Sequence, residues 1–266
     1  MSLRRLRICG TTLPVVFVLL QPIVLAQATY TLDRRDAVFV AVTGAAALLP
    51  MLADVEDTCT CSLSGLNGID RGTALRTAAS LNAASYVVAA SAIALPVTLS
   101  ALRSKSWSDP VVIGEALLAN TAMNQIVKYS VQRPRPLLYG LPSTDSRIGK
   151  PDNHLSFYSQ HTSAVFATGM SYARTFALRH PQSRYRWAVY SAVGATGATV
   201  GWMRVRARKH FPTDVVTGAV AGGAIGLAVP WLHPKQGQLG TGLSPYLRIS
   251  PTRSGAMVSL LVPLNP

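Results

Sequence analysis

Acidic residues are scarce in this chain. Eleven Asp and Glu stand against 25 Lys and Arg, giving a formal net charge of +14. Between Asn153 and the C-terminus a single carboxylate remains, Asp214. Such a balance favours anionic partners: acidic lipid surfaces, phosphorylated lipids or free phosphoesters. Nucleic acid is a poor match, because no basic strip interleaved with aromatics is present. Cysteine is nearly absent as well, at three residues, which excludes a disulfide framework. Cys59 and Cys61 are too close for a good mutual disulfide and read as free thiols or an unusual local bridge. Cys9 precedes the first apolar run and is not placed as a lipoprotein cysteine. No Ser/Gly-rich linker and no internal repeat argues for two domains.

The first 28 residues have a basic start (Arg4, Arg5, Arg7), an apolar run from Leu13 to Ala26 and the small-residue site Ala26-Gln27-Ala28. They read as a secretory signal peptide cut after Ala28. Six apolar segments follow: Ala37–Ala53, Leu81–Leu102, Val111–Val127, Ser163–Leu178, Trp187–Met203 and Val215–Leu232. They are too long for ordinary strands and are read as helices. Gly194, Gly197, Gly201, Gly218, Gly222, Gly223 and Gly226 would let those helices approach closely. The tail, 235–266, suggests a short hairpin around Thr252–Gly255. The expected fold is therefore all-α, a six-helix bundle over 29–234 with a C-terminal β-hairpin.

Three polar clusters interrupt this apolar body. The first is Lys128-x6-Arg135-Pro136, where the two prolines stiffen the strap that carries Arg135. The second is Ser159-Gln160-His161-Thr162-Ser163. Ser159 or Thr162 can cap a helix there and leave His161 at its positive end. The third is Arg204-x5-His210-x3-Asp214. A carboxylate hydrogen-bonded to one imidazole nitrogen fixes the tautomer and frees the other nitrogen to attack. The neighbouring arginines suggest that the target is a phosphoryl group. Taken singly, each cluster is ordinary: a surface ion pair, a solvated basic face, a helix start. Their order and combination point to a site. His154, His180 and His233 read as structural or surface histidines, with His154 as an alternative pocket-mouth residue. A metal held by His161, His210 and Asp214 is possible on ligand type, but the surrounding cations would repel it.

Together the clusters resemble the type 2 phosphatidic acid phosphatase superfamily, which also contains the vanadium haloperoxidases. The family pattern is Lys-x6-Arg-Pro, then Pro-Ser-Gly-His, then Ser-Arg-x5-His-x3-Asp. This chain departs at Tyr158 for Pro, Gln160 for Gly and Met203 for Ser, and the likeness is taken to run from Asp36 to Leu232. The resemblance implies that His210 is the nucleophile, Asp214 its orienting partner and His161 the general acid and base. It implies that Lys128, Arg135, Arg204, Ser159 and the Gln160 position hold phosphoryl oxygens, with no metal and no cofactor. A neutral nucleophile paired with a protonated acid predicts a bell-shaped pH profile of kcat/KM.

Membrane placement is a separate expectation. A span needs about 20 mostly apolar residues. Leu81–Leu102 and Val215–Leu232 approach that, whereas the segment after Val111 carries Glu115, Asn120, Asn124 and Gln125. The membrane branch of the family has an outward-facing site, and a cleaved leader followed by six spans would face it inward. The reading adopted is a bundle exported whole, in the periplasm or on an envelope membrane surface, with integral insertion as the alternative. The expected function is hydrolysis of a phosphomonoester or pyrophosphate, lipid-linked or small, through a phosphohistidine. The rivals are a vanadium-dependent haloperoxidase and a non-catalytic protein that binds acidic lipid.

Overall fold

The computed structural model describes residues 29–55, 61–74, 80–104, 106–233, 247–252 and 255–260. The leader, Cys59 and much of the tail lie outside these residues. Among the described residues there are seven α-helices: α1 (Arg34–Leu48), α2 (Gly68–Arg71), α3 (Ser80–Arg103), α4 (Ser108–Val131), α5 (Gln160–Arg179), α6 (Tyr185–Arg206) and α7 (Pro212–Leu232). Five of the six apolar segments lie wholly within α-helices, and Ala37–Ala53 runs from α1 through a 3-10 turn, Leu49–Leu52, and ends one residue beyond it. The element beyond the expected six is α2, a single turn too short to show periodicity. Strand β1 (Leu247–Thr252) pairs antiparallel with β2 (Gly255–Leu260).

Local chemistry sets the helix ends. Asp33 caps α1 by accepting from the Arg35 amide at 2.6 Å, and Asp36 returns the bond to the Asp33 amide, a capping box. α4 stops at Gln132, which adopts a left-handed φ of 45° just before Arg133-Pro134, where proline disfavours continued helix. α7 opens with Pro212 in its first turn, and Asp214 accepts from the Phe211 amide at 2.9 Å.

The interior of the bundle mixes apolar clusters with many buried polar side chains, and much of its outer surface is apolar. α5 lies at its centre, packed on α3, α4, α6 and α7, while α1 lies along α4. Of the α4 residues that argued against insertion, Glu115, Asn120 and Asn124 are buried and Gln125 is half-buried. Asn120 and Asn124 are fully buried, donating to the Ser163 hydroxyl and the Tyr158 carbonyl at 3.1 and 2.8 Å. The outer surface carries Val38, Val42, Leu52, Val87, Leu95, Val216, Val220 and Trp231, all exposed. Among the described residues, three helical stretches are long and apolar enough to cross a membrane: Arg34–Leu52, Leu81–Arg103 and Pro212–Leu232.

Glycine sets the spacing of the central pair. Gly218, Gly222 and Gly226 fall one turn apart on α7 and face the backbone of Ser159, Ser163 and Ala167 near the start of α5. A Cβ on Gly222 would sit 2.0 Å from the Ser163 carbonyl oxygen, so only hydrogen fits. Gly197 and Gly201 lie similarly close to Phe166 and Val215, whereas Gly194 and Gly223 face open space. Cys61 is disulfide-bonded. Of the two alternatives for this cysteine the free thiol is therefore corrected; Cys9 and Cys59, the chain's other cysteines, are outside the described residues.

Candidate active site

All three polar clusters come to one end of the bundle. Lys128 lies near the end of α4, Arg135 on the strap after it, His161 in the first turn of α5, Arg204 at the end of α6, and Asp214 in the first turn of α7. His210 sits in the turn between α6 and α7. Arg208 takes a left-handed φ of 55° there, and the amides of Lys209 and His210 return to the Arg204 carbonyl at 3.1 and 3.4 Å. This tight reversal aims His210 back over the helix ends.

His210 is buried, at 1% exposure. Its Nδ1 donates to the Ser156 carbonyl at 2.7 Å, whereas the nearest Asp214 oxygen is 3.8 Å away. The expected direct bond from Asp214 is thus corrected. A backbone carbonyl, not the carboxylate, fixes the tautomer, because a carbonyl can only accept. The chemical consequence is unchanged: Nε2 carries the free lone pair. Asp214 acts one step removed, accepting from the Ser156 hydroxyl at 2.6 Å and so fixing the residue that holds His210.

Asp214 is itself held by a residue the sequence reading passed over. Arg133 donates to Asp214 at 2.5 Å and to Asp70 at 2.8 Å, and its guanidinium lies 4.2 Å over the Phe211 ring. Asp70 comes from α2 and also accepts from the amide and hydroxyl of Thr213. Of the two arginines in Gln132-Arg133-Pro134-Arg135, one is structural and the other faces the pocket. Alternation along the proline-stiffened strap was the available signal. Nothing in sequence pointed to Asp70.

The cations form the other wall. Arg204, at 1% exposure, donates from Nη1 to Asn82 and the Ser85 hydroxyl at 3.0 and 3.1 Å. Its guanidinium lies 5.2 Å from the Tyr86 ring. Its Nε is buried and has no hydrogen-bond partner among the described residues. The Tyr86 ring also meets His161 edge-on, with centroids 4.5 Å apart. Asn82, Ser85 and Tyr86 all come from the start of α3, which the motifs did not touch. Arg135 is clamped by Asp152, at 2.6 Å to its side chain and 2.8 Å to its carbonyl. Burial lowers the Arg135 pKa, and Asp152 opposes that shift. Burial likewise lowers Lys128 to about 8, helped by Arg135.

Both histidines are neutral at physiological pH. Burial drives His210 down to about 3, a nearby Asp214 opposing and Arg135 and Arg204 assisting. Burial also drives His161 to about 3, helped by Arg204, Lys128 and Arg135. His161 is therefore not a ready acid in the free protein, and its part in a bell-shaped profile would depend on what binds beside it. An anion between the three cations would cancel their push and restore its basicity.

The remaining residues depart in detail. Ser159 occupies the N-cap position of α5, but its hydroxyl meets that of Thr162 at 3.0 Å instead of capping an amide. Gln160 is half-buried as the first helical residue. His154 is buried, 2.7 Å from the Ile148 carbonyl, a structural tie and not a pocket-mouth group. His161, His210 and Asp214 do not form a ligand cluster; among the described residues the His/Asp/Glu group able to surround an ion lies elsewhere.

An all-helical bundle that gathers three cations, two neutral histidines and an unpartnered guanidinium nitrogen at one end is an anion-binding scaffold. Residues 109–238 match the family model of the PAP2 superfamily, and this region of the chain belongs to that superfamily. The matched stretch begins well after Asp36, so Asp70, Asn82, Ser85 and Tyr86 lie outside it. Among solved structures, the crystal structure of the first transmembrane PAP2 type phosphatidylglycerolphosphate phosphatase from Bacillus subtilis is similar at 19% identity and a TM-score of 0.45. That alignment covers 75% of this chain and 94% of the other. No curated protein matches the chain.

Proposed function

We propose that the protein is a membrane-embedded, metal-independent phosphatase of lipid phosphates that works through a phosphohistidine. The observation that carries this is the buried Nε face of Arg204 beside Lys128, Arg135 and a His210 whose tautomer is already set. A phosphoryl group would complete the hydrogen bonding of Arg204 and balance the excess positive charge of Lys128 and Arg204. These fixed cations stabilise the developing equatorial charge without a metal.

In the first step the Nε2 lone pair of His210 attacks phosphorus as the bond to the leaving oxygen breaks. His161, which takes up a proton from solvent as the bound phosphate restores its basicity, gives that proton to the leaving oxygen. In the second step His161 takes a proton from water, the oxygen attacks phosphorus and the P–N bond breaks. As inorganic phosphate leaves, His161 releases its proton to solvent, and both histidines are neutral again. Ser159 and the Gln160 amide, at the positive end of α5, would hold the remaining phosphoryl oxygens.

Two features support a lipid substrate. An apolar crevice between α3, α5 and α6, lined by Leu95, Leu99, Val165, Tyr172, Val189 and Val193, begins at Val165, one turn along α5 from His161. It matches an acyl chain better than a soluble ester. The apolar outer belt favours insertion over the exported soluble bundle, since such a surface is costly in water. The leader-like 1–28 would direct the chain to the cell envelope.

The decisive experiment is phosphate release from phosphatidic acid, phosphatidylglycerol phosphate, polyprenyl pyrophosphate and a soluble ester. His210→Ala should lower kcat/KM on the preferred substrate by roughly 10^4-fold or more. A folded variant with wild-type turnover would overturn the phosphohistidine. Orthovanadate should inhibit the enzyme; activation of halide oxidation instead would favour the haloperoxidase reading.

A further inference from the structure

The opposite end of the bundle holds a second polar cluster that phosphate chemistry does not use. Asp36 stands in the first turn of α1, Glu115 two turns into α4, and His233 just beyond α7. His233 Nε2 lies 3.0 Å from Asp36 Oδ1 and 2.8 Å from Glu115 Oε2. Their three ligand atoms lie within 4.8 Å of one another.

His233 Nδ1 lies 2.8 Å from the Val229 carbonyl. The carbonyl can only accept, so Nδ1 bears the hydrogen and Nε2 is the nitrogen turned toward the two carboxylates. This is how backbone commonly orients a metal-ligating imidazole. A neutral ring would point its lone pair at two anions, and a single N–H could not align with both.

Glu115 carries the cost of that arrangement. It is 1% exposed, its Oε1 has no hydrogen-bond partner, and its Oε2 approaches Nε2 without hydrogen-bond alignment. Asp109, buried at the same end, shows the contrast. It pairs with Arg179 and accepts from the amides of Thr29 and Tyr30. In a chain with 25 basic residues, the ion-pair partner of both Asp36 and Glu115 among the described residues is His233.

We propose that Asp36, Glu115 and His233 bind one divalent transition-metal ion, Zn2+ or Mn2+, as a structural clasp joining α1, α4 and the end of α7. The ligand set mixes hard carboxylate with imidazole, which suits these ions. With bonds of about 2.1 Å, neighbouring donors fall about 3.0 Å apart in octahedral geometry and about 3.4 Å apart in the tetrahedral geometry of Zn2+, against 3.0 and 2.8 Å here. Water would fill the remaining positions. The ion would add positive charge where two carboxylates converge, and it would stand apart from the phosphate site.

The test uses the full-length, tag-free protein in detergent, stripped with chelator, desalted and reloaded with Zn2+ or Mn2+. The expected results are about one ion retained per chain and a rise of several degrees in the unfolding midpoint. Glu115→Gln and His233→Gln should weaken binding by about tenfold or more. Undiminished retention by both variants would overturn the site. So would a wild-type protein that neither retains an ion nor shifts its midpoint, leaving the cluster as an imidazolium held between two carboxylates. Should a variant fail to fold, the wild-type titration alone decides.

Discussion

Arg133 shows how much one side chain can carry without touching substrate. It joins Asp70, brought by α2, to Asp214, which fixes Ser156 and through it His210. Removing its charge leaves two fully buried carboxylates uncompensated, so Arg133→Ala should destabilise the protein by about 3–5 kcal/mol and lower kcat. The exposed pair Arg147–Asp145 offers the control, since Arg147→Ala should change neither. Thermal unfolding and phosphate release on both variants check this; equal effects would remove Arg133 from the positioning role. His210 makes a second prediction. Its folded pKa of about 3 lies below the ordinary histidine value, so the neutral nucleophile persists well into acid. An unshifted histidine would retain only about 3% of its neutral form at pH 5. The acid limb of kcat/KM, corrected for substrate ionisation, should therefore fall near pH 3 and not near 6.5. The same shift has a stability cost. The unfolded chain gains a proton below about 6.5 that folded His210 refuses, so stability declines as pH falls from there toward 3. Activity must accordingly be measured before the acid-treated enzyme unfolds.

At the scale of elements, the site depends on how closely α5 and α7 approach. Gly218 and Gly222 let the start of α7 lie against the start of α5, and the Ser159 amide donates to the Asp214 carbonyl at 3.1 Å. Gly222→Ala must push backbone away from backbone. It should cost about 1–3 kcal/mol or more and lower activity as well, because the displaced helix carries Asp214. Gly223→Ala, one residue on and facing open space, should be neutral or stabilise by up to about 1 kcal/mol. Unfolding midpoints of the two variants check the contrast, and similar values would count against close packing as the reason for these glycines. The small-residue pattern was visible in sequence. Which glycines faced a neighbour and which faced open space was not, because that depends on the rotation of each helix about its axis.

For the whole molecule, the apolar outer surface is the feature that bears on membrane placement. Buried amides such as those of Asn120 and Asn124 donate within the bundle, while many Val, Leu and Trp side chains stand exposed on its outside. In water that arrangement would expose a large apolar surface; in lipid it satisfies both faces. The chain should accordingly remain in the membrane pellet after alkaline carbonate washing, and release into the supernatant would restore the soluble, exported reading. Residue order alone was enough to single out Lys128, Arg135, Ser159, His161, Arg204, His210 and Asp214 as candidates, because charge and imidazole recur there at spacings suited to binding an anion. It also marked the helices, because long apolar runs have few alternatives. What it could not determine were contacts between distant segments. Asp70, Asn82, Ser85 and Tyr86 have no motif of their own, and Glu115 looked like an argument against insertion. Their roles arise only when α2, α3 and α4 are packed against the rest, since a buried charge acquires its meaning from the partner that tertiary structure brings to it.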